Sequence, residues 1–410
     1  MKPTVFIVDQ PRYNLAEIRL RARELCERAG LQVRGASVFV KPSFVYPARP
    51  PRNLGINTQP EVVAGVARAL RDLGASRVMV GEDCLAGPSQ SGFLAMGVLP
   101  LLRGVAEPVY LQDEERVEVR VPDPLVEGSF RLPKKLMDAD LFVSLPKLKV
   151  NMYATVTLSV KNHIGLLLAA DRLTHHHYDI HKKIADLYRS RLPDFVITDA
   201  IMAGEGQGPM HAEPANLGVL IAGANGVAVD AVACRMMGYE PEEIEHLTHL
   251  AAAGAGPLGL DEIELEGAEL LAQRKRVLSR PRVDFGDYDP RLAFFVGREL
   301  ACPQGCVGMI RGTLDSFLPP ADWKPVSGYN FIVGKPVSDL PANLDRGKTF
   351  VIGDCAAEHR SRGTFIPGCP IPPMAITYAL LKRGVFTPVT SRYRDLGWGH
   401  LAHALGIKVR

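Results

Sequence analysis

From Val5 to Met237, short apolar runs alternate with longer amphipathic ones, and this alternation restricts the fold more than any other feature. Val5–Val8 is the first apolar run. Asn14, with Glu17 three residues on, forms a capping box that starts a helix over Leu15–Ala29, and Gly30 ends it. Ala36–Val40 predicts a strand that runs into Lys41-Pro42-Ser43. Thr58-Gln59-Pro60-Glu61 reads as a second capping box, opening a helix to Leu73 that Gly74 stops. Further strands are predicted at Arg77–Val80, Asp140–Leu145, Asp194–Thr198 and Leu217–Ala222, and further helices at Ile184–Leu192 and Val227–Met237. Thr155–Val160 fits a strand by its β-branched content. No turn signal separates it from Lys161-Asn162-His163, so strand and helix both stay open. Strands alternating with helices imply an α/β fold, a mostly parallel sheet with helices on both faces.

The 410 residues suit two or three domains. The alternating part, with the polar, mixed stretch 256–290, sets a first domain at 1–290. A smaller α/β unit follows at 291–410, with strands at Ala293–Val296, Phe331–Val333 and Thr349–Ile352 and a helix at Met374–Arg383. Net charge is only +3, from 48 basic and 45 acidic residues, and no block of Lys and Arg stands out, so nucleic acid is not an expected partner. No apolar run approaches the ~20 residues of a membrane span. The first strand reaches Asp9 too soon for a signal-peptide core, and the expected location is cytoplasmic.

In open α/β sheets, ligands collect at the carboxyl ends of strands. Here those ends carry Lys41, Asp83, Lys147 with Lys149, and Asp199, and Lys161-Asn162 lies close in sequence. A lysine there reaches a carboxylate or phosphate as a mobile point charge. The set predicts a small anionic substrate or cofactor held by Lys41, Lys147, Lys149, Lys161 and Asn162. Gly204-Glu205-Gly206-Gln207-Gly208-Pro209 is neither a Walker loop nor a dinucleotide fingerprint. It either lets backbone approach a ligand or forms a tight turn. Histidines 175, 176, 177 and 181 are dense. His177 and His181 would share a helix face, but no carboxylate completes a metal motif. For His181 an acid or base role is the stronger reading, with Asp199 as the second proton-moving candidate.

Seven cysteines is an odd number, and a cytoplasmic protein rarely holds disulfides. Four of them cluster late, in Cys302-Pro303-Gln304-Gly305-Cys306, Gly353-Asp354-Cys355-Ala356 and Pro367-Gly368-Cys369-Pro370. Gly and Pro permit tight turns that aim backbone N–H groups at sulfur, and such bonds tune a cluster. Cys302, Cys306, Cys355 and Cys369 are thus the predicted ligands of a [4Fe–4S] cluster. Structural zinc is the alternative, although zinc ribbons use closer, matched pairs of cysteines. Cys26 and Cys234 lie on predicted helices and read as small apolar residues.

Val38-Phe39-Val40-Lys41-Pro42-Ser43, Thr58–Val63, Leu145–Lys149, Val160–Gly165, Gly204–Pro209 and Val227–Ala231 together resemble the domain of unknown function 362 family. The family pattern commonly has Lys-Pro-Asn where Lys41-Pro42-Ser43 stands, and His where Val150-Asn151 stands. The resemblance implies an α/β fold and frequent company with iron–sulfur modules, but no reaction. The late cysteines resemble the proximal [4Fe–4S] site of nickel–iron hydrogenase small subunits and related complex I subunits. Two differences are the three residues between Cys302 and Cys306, where the pattern has two, and Ile371 breaking a double proline.

The leading functional expectation is an iron–sulfur oxidoreductase acting on a small anion. The alternatives are a non-redox lyase or isomerase with a Lewis-acid or structural cluster, and a substrate-free electron carrier or maturation protein. The last, and to a degree the first, needs a redox partner protein.

Overall fold

A computed structural model describes residues 2–45, 52–84, 89–168, 171–172, 178–288, 290–317, 327–371 and 375–383. The chain divides into two compact units, Met1–Ala169 with His181–Arg280, and Ala170–Ile180 with Pro281–Arg410. The division falls at 280/281, against the expected 290/291, and residues 170–180 group with the second unit.

The strands of the first unit are β1 (Thr4–Asp9), β2 (Ser37–Pro42), β3 (Arg77–Glu82), β4 (Glu107–Tyr110), β5 (Arg116–Arg120) and β6 (Ser129–Pro133). They continue with β7 (Leu141–Leu145), β8 (Lys147–Asn151), β9 (Thr155–Thr157), β10 (Phe195–Gln207), β11 (His211–Gly223) and β12 (Glu264–Glu266). Among the described residues, ten of these make one sheet in the order β12-β1-β11-β10-β7-β2-β3-β4, with β8 on β10 and β9 on β8. The pairs from β10 through β7, β2 and β3 to β4 are parallel, whereas β11 runs antiparallel to both β1 and β10. Val38, Phe39 and Val40 of β2 are fully buried, as a strand covered on both faces requires.

Asn14 caps the helix Leu15–Arg28, its side chain accepting from the N–H groups of Ala16 and Glu17. The second capping box is not formed. Gln59 occupies the N-cap of the helix Pro60–Asp72 without a side-chain bond. Thr58 instead accepts from Ser43 N at 2.9 Å and donates to Leu145 O at 2.7 Å, tying the ends of β2 and β7 together. Gly65 lets the two helices touch, since a Cβ there would lie 2.7 Å from Ile18 Cγ2.

Tertiary pairing decides two readings left open and corrects a third, that of Lys147 and Lys149. Thr155–Val160 divides into β9 and the start of a short helix, Ser159–Asn162. Lys147 and Lys149 lie in a strand of their own rather than in a loop. Pro146 interrupts the run, but its carbonyl accepts from Asp199 N at 2.9 Å, and β8 resumes beside the same β10. The segment Gly204–Gln207 belongs to β10 and its hairpin with β11. Its glycines serve contacts within the protein: a Cβ on Gly204 would meet Gly55 O at 2.1 Å, and one on Gly208 would meet Val150 O at 2.0 Å.

In the second unit, β13 (Ala293–Val296), β14 (Asn330–Val333), β15 (Thr349–Ile352) and β16 (Thr364–Ile366) form a parallel sheet in sequence order. The helix Gly308–Phe317 follows the first cysteine pair, and Ala375–Lys382 is helical. Among the described residues no helix is long and apolar enough to cross a membrane.

Candidate functional site

The order of the large sheet marks a crevice. From β2 the chain builds outward to β3 and β4, then returns to place β7 on the other side of β2. Such a reversal opens a gap outside the carboxyl ends of the two strands, where α/β proteins bind ligands. Lys41 ends β2 there, opposite Ser144 of β7. Asn162 bridges the gap: its Oδ1 accepts from Lys41 Nζ at 2.9 Å, and its Nδ2 donates to Ser144 Oγ and Lys41 O.

The lysines gather in this region but are not mobile surface charges. Lys41, Lys147 and Lys149 are at most 1% exposed. Lys41 Nζ donates to Glu82 Oε2 at 2.8 Å, and Gly165 lies against this pair. Burial pushes the Glu82 carboxyl up, while Lys41 and the N–H groups of Phe44 and Asp83 pull it back. Lys147 Nζ lies 3.0 Å from Asp199 Oδ2, because register sets the two residues side by side on β8 and β10. Tyr13 closes a triangle, accepting from Lys147 and donating to Asp199 Oδ1 at 3.0 Å.

Asp199 accepts further from the N–H groups of Gln59 and Ile201. With four accepted bonds it is built to fasten β8 and β10. These bonds give Asp199 a structural part beside the proton-moving role expected of it.

Lys149 and Lys161 have no carboxylate among the described residues. Lys149 Nζ donates to the Ile56 carbonyl and faces Ser43 Oγ at 3.4 Å. Burial, then the charges of Lys161 and Lys147, lower its pKa well below the ordinary lysine range. Lys161 is 8% exposed. Burial lowers its pKa to about 8. It sits in the helix Ser159–Asn162, whose N–H groups at Ser159 and Val160 donate to the buried carboxylate of Asp230 at 2.8 and 2.9 Å.

His181 opens the helix Ile180–Ser190, and its Nδ1 lies 3.2 Å from that of His246, with the two rings stacked. His181 Nε2 stands 3.8 Å from Glu245, a residue that reaches solvent. Burial lowers the pKa of both imidazoles, and both feel the charge of Lys161. His246 carried no sequence signal, and only the packing of the helix Glu245–Ala252 brings it here. Histidines 175, 176 and 177 lie outside the described residues. The two positions that differ from the family pattern have structural partners: Ser43 faces Lys149, and Asn151 Oδ1 accepts from Tyr153 N and Ala154 N in the β8–β9 turn.

In the second unit, Cys302 with Cys306, Cys355 and Cys369 follow the carboxyl ends of β13, β15 and β16. Each of the three cysteine segments turns through a glycine with positive φ: Gly305 at 144°, Gly353 at 84° and Gly368 at 135°. A Cβ on Gly353 would lie 3.0 Å from Cys306 Sγ. Burial pushes the Cys306 thiol up to about 12. The Ile371 N–H pulls against this, and the other three cysteines add to the rise. Asp354 locks the loops, accepting from Gly368 N at 2.9 Å and from Tyr178 OH at 2.6 Å. Among the described residues no three His, Cys, Asp or Glu side chains gather as one metal ion requires. Cys26, Cys84 and Cys234 are buried and apart.

Residues 38–235 match the model of a family described as domain of unknown function (DUF362). A relative, the thylakoid-associated protein sll1697 of Synechocystis sp. (strain ATCC 27184 / PCC 6803 / Kazusa), is 30% identical over 249 residues, 59% of this chain and 76% of that protein. A solved structure from Thermotoga maritima aligns with a TM-score of 0.37 at 13% identity, over 71% of this chain and 65% of that one. The lactate racemase apoprotein from Thermoanaerobacterium thermosaccharolyticum aligns with a TM-score of 0.37 at 11% identity, over 70% of this chain and 88% of that one.

Proposed function

This chain belongs to the domain of unknown function (DUF362) family, and on that premise we propose an iron–sulfur oxidoreductase acting on a small anion. Cys302, Cys306, Cys355 and Cys369 would hold a [4Fe–4S] cluster. The observation that carries the proposal is the gathering of these thiols after three parallel strands, each within the electrostatic field of Cys306. Four thiolates suit a [4Fe–4S] cluster, whereas zinc ribbons use closer, matched pairs of cysteines. The Ile371 N–H aimed at Cys306 is the kind of bond that tunes such a cluster. When bound, the cluster would supply or accept single electrons.

The chain's own residues would do the rest. Lys41 and Lys147 are neutralised by Glu82 and Asp199, so the anion is left to Lys149 and Lys161. An entering carboxylate or phosphate draws a proton to Lys149, since a charged partner restores what burial removed. His181 and His246 would carry protons between Glu245 at the surface and the buried amines.

The test is anaerobic purification with assays of iron, zinc and acid-labile sulfide, and an electron paramagnetic resonance spectrum after reduction. About four irons per chain, lost when Cys306 and Cys369 are both changed to Ser, is the expected result. Stoichiometric zinc, or no iron in reconstituted protein, would refute the cluster. A non-redox lyase or isomerase is favoured by one observation, the two low-pKa amines. Turnover without any electron donor or acceptor would select it.

A further inference from the structure

We propose that Lys161 is a nucleophilic amine and that its ligand is a small acid with a reactive carbonyl, such as a 2-oxo acid, captured as an imine. The inference rests on the reading that the lysine site takes a small anion, and goes beyond it by naming the bond formed.

The argument starts from what Lys161 lacks. The buried ammonium of Lys41 has Glu82, and that of Lys147 has Asp199. Lys161 is 8% exposed, less deep than these two, yet it has no carboxylate and no hydrogen-bond acceptor among the described residues. An unpaired buried ammonium is costly, so the group sheds its proton instead. Burial accordingly brings Lys161 to about 8, where much of it is free amine at neutral pH. Desolvation in an apolar setting is how lysines are activated for imine chemistry.

The mount is rigid on both sides. Asp230 holds the N–H groups of Ser159 and Val160, and Asn162 is bonded to Lys41 and Ser144. The short helix that carries Lys161 is thus fastened at both ends. Its neighbours also supply the protons. The lone pair of Lys161 Nζ attacks the carbonyl carbon, and the carbonyl oxygen takes a proton to give a carbinolamine. That hydroxyl then leaves as water with a second proton, while nitrogen gives up its own two. Amine plus carbonyl becomes imine plus water, with no oxidation. His181 and His246 lie in the field of Lys161 and 3.2 Å from each other, and can pass these protons on toward Glu245 and His249. The substrate carboxylate would pair with Lys149.

The probe is glyoxylate with sodium cyanoborohydride, on the full chain with its cluster content recorded. Peptide mass mapping over time follows carboxymethylation of each lysine. Oxalate, which has no reactive carbonyl, reports anion binding separately by calorimetry. At pH 7.5 an amine near 8 has far more free base than one near 10.4, so Lys161 should label at least about tenfold faster than exposed Lys2 and Lys275. Oxalate should slow that labelling, and Lys161→Arg should form no adduct there. Oxalate binding with equal labelling of Lys161 and exposed lysines would overturn the inference and leave the anion reading standing. Absence of both oxalate binding and Lys161 labelling would overturn both. Protection by oxalate in the unaltered protein keeps the test valid if the Arg variant fails to fold.

Discussion

Replacing Lys149 by Met should remove a pH dependence that the folded protein carries in its core. Lys149 is wholly buried, and its amine meets only neutral oxygens, from Ser43 and Ile56. Burial and the neighbouring lysines lower its pKa well below the ordinary value. Between that folded pKa and the unfolded value near 10.4, the unfolded chain holds more protons than the folded one. Stability therefore rises with pH across this window, by about 1.4 kcal/mol per unit. Below the folded pKa the penalty is constant. Near the top of the window the unfolded group begins to titrate too, so the gain from pH 8 to pH 10 is at most about 2.5 kcal/mol. The thioether of the variant cannot titrate. It also strands the Ile56 carbonyl, which costs about 1–3 kcal/mol at every pH. Urea unfolding at pH 8, 9 and 10 and fixed ionic strength separates the two effects. The stability of the wild type relative to Lys149→Met should climb over that range, by up to about 2.5 kcal/mol. Parallel lines, within about 0.5 kcal/mol, would mean that Lys149 is charged in the folded protein, and the electrostatic account of the site would fall.

Other perturbations probe neighbouring parts. Gly165→Ala puts a Cβ 2.6 Å from both Lys41 Nζ and Glu82 Oε1, so it should part the buried pair at a cost of about 3–5 kcal/mol; a midpoint unchanged in urea would show that the loop yields instead. Asp230→Asn offers one oxygen where two N–H groups donate, and should lose about 1–3 kcal/mol and slow the labelling of Lys161. Burial pushes the Asp230 carboxyl up to about 8, so its folded form binds more protons than the unfolded chain between roughly pH 4 and 8. Its contribution to stability is therefore lost as pH rises through that window, opposite in sign to Lys149, and Asn should flatten it. Oxalate affinity should fall as pH rises from 7 to 9, with protons taken up on binding. Equal calorimetric heats in buffers of different ionisation enthalpy would deny that uptake.

Much of the framework is legible because its signals are local. Asn14 caps from two and three residues away, and Gly30 ends the same helix with φ of 67°. The approach of lysines to one crevice is legible too, since apolar runs ending in Lys41 and in Pro146-Lys147 mark strand ends. What fails is whatever depends on a distant partner. Thr58 has the form of a capping residue, yet its hydroxyl bonds to residues 15 and 87 positions away. Pro146 has the form of a strand terminator, yet β10 continues past it and recruits β8. His246 has no motif at all and enters through helix packing.

The lysines show why such failures matter for function. In sequence, Lys41, Lys147, Lys149 and Lys161 are one signal: basic residues at or near the ends of apolar runs. In the fold, alternation along β8 and pairing with β10 give Lys147 a carboxylate at 3.0 Å. Lys149, two residues on, is opposite Gly204, which has none to offer. A Cβ at position 204 would collide with Gly55 O, so close backbone packing keeps that place free of a counter-charge. Burial without a partner then turns a cation into a base. The glycine-rich segment and the lysines are thus parts of one arrangement: the glycine acts by the counter-charge it withholds from Lys149.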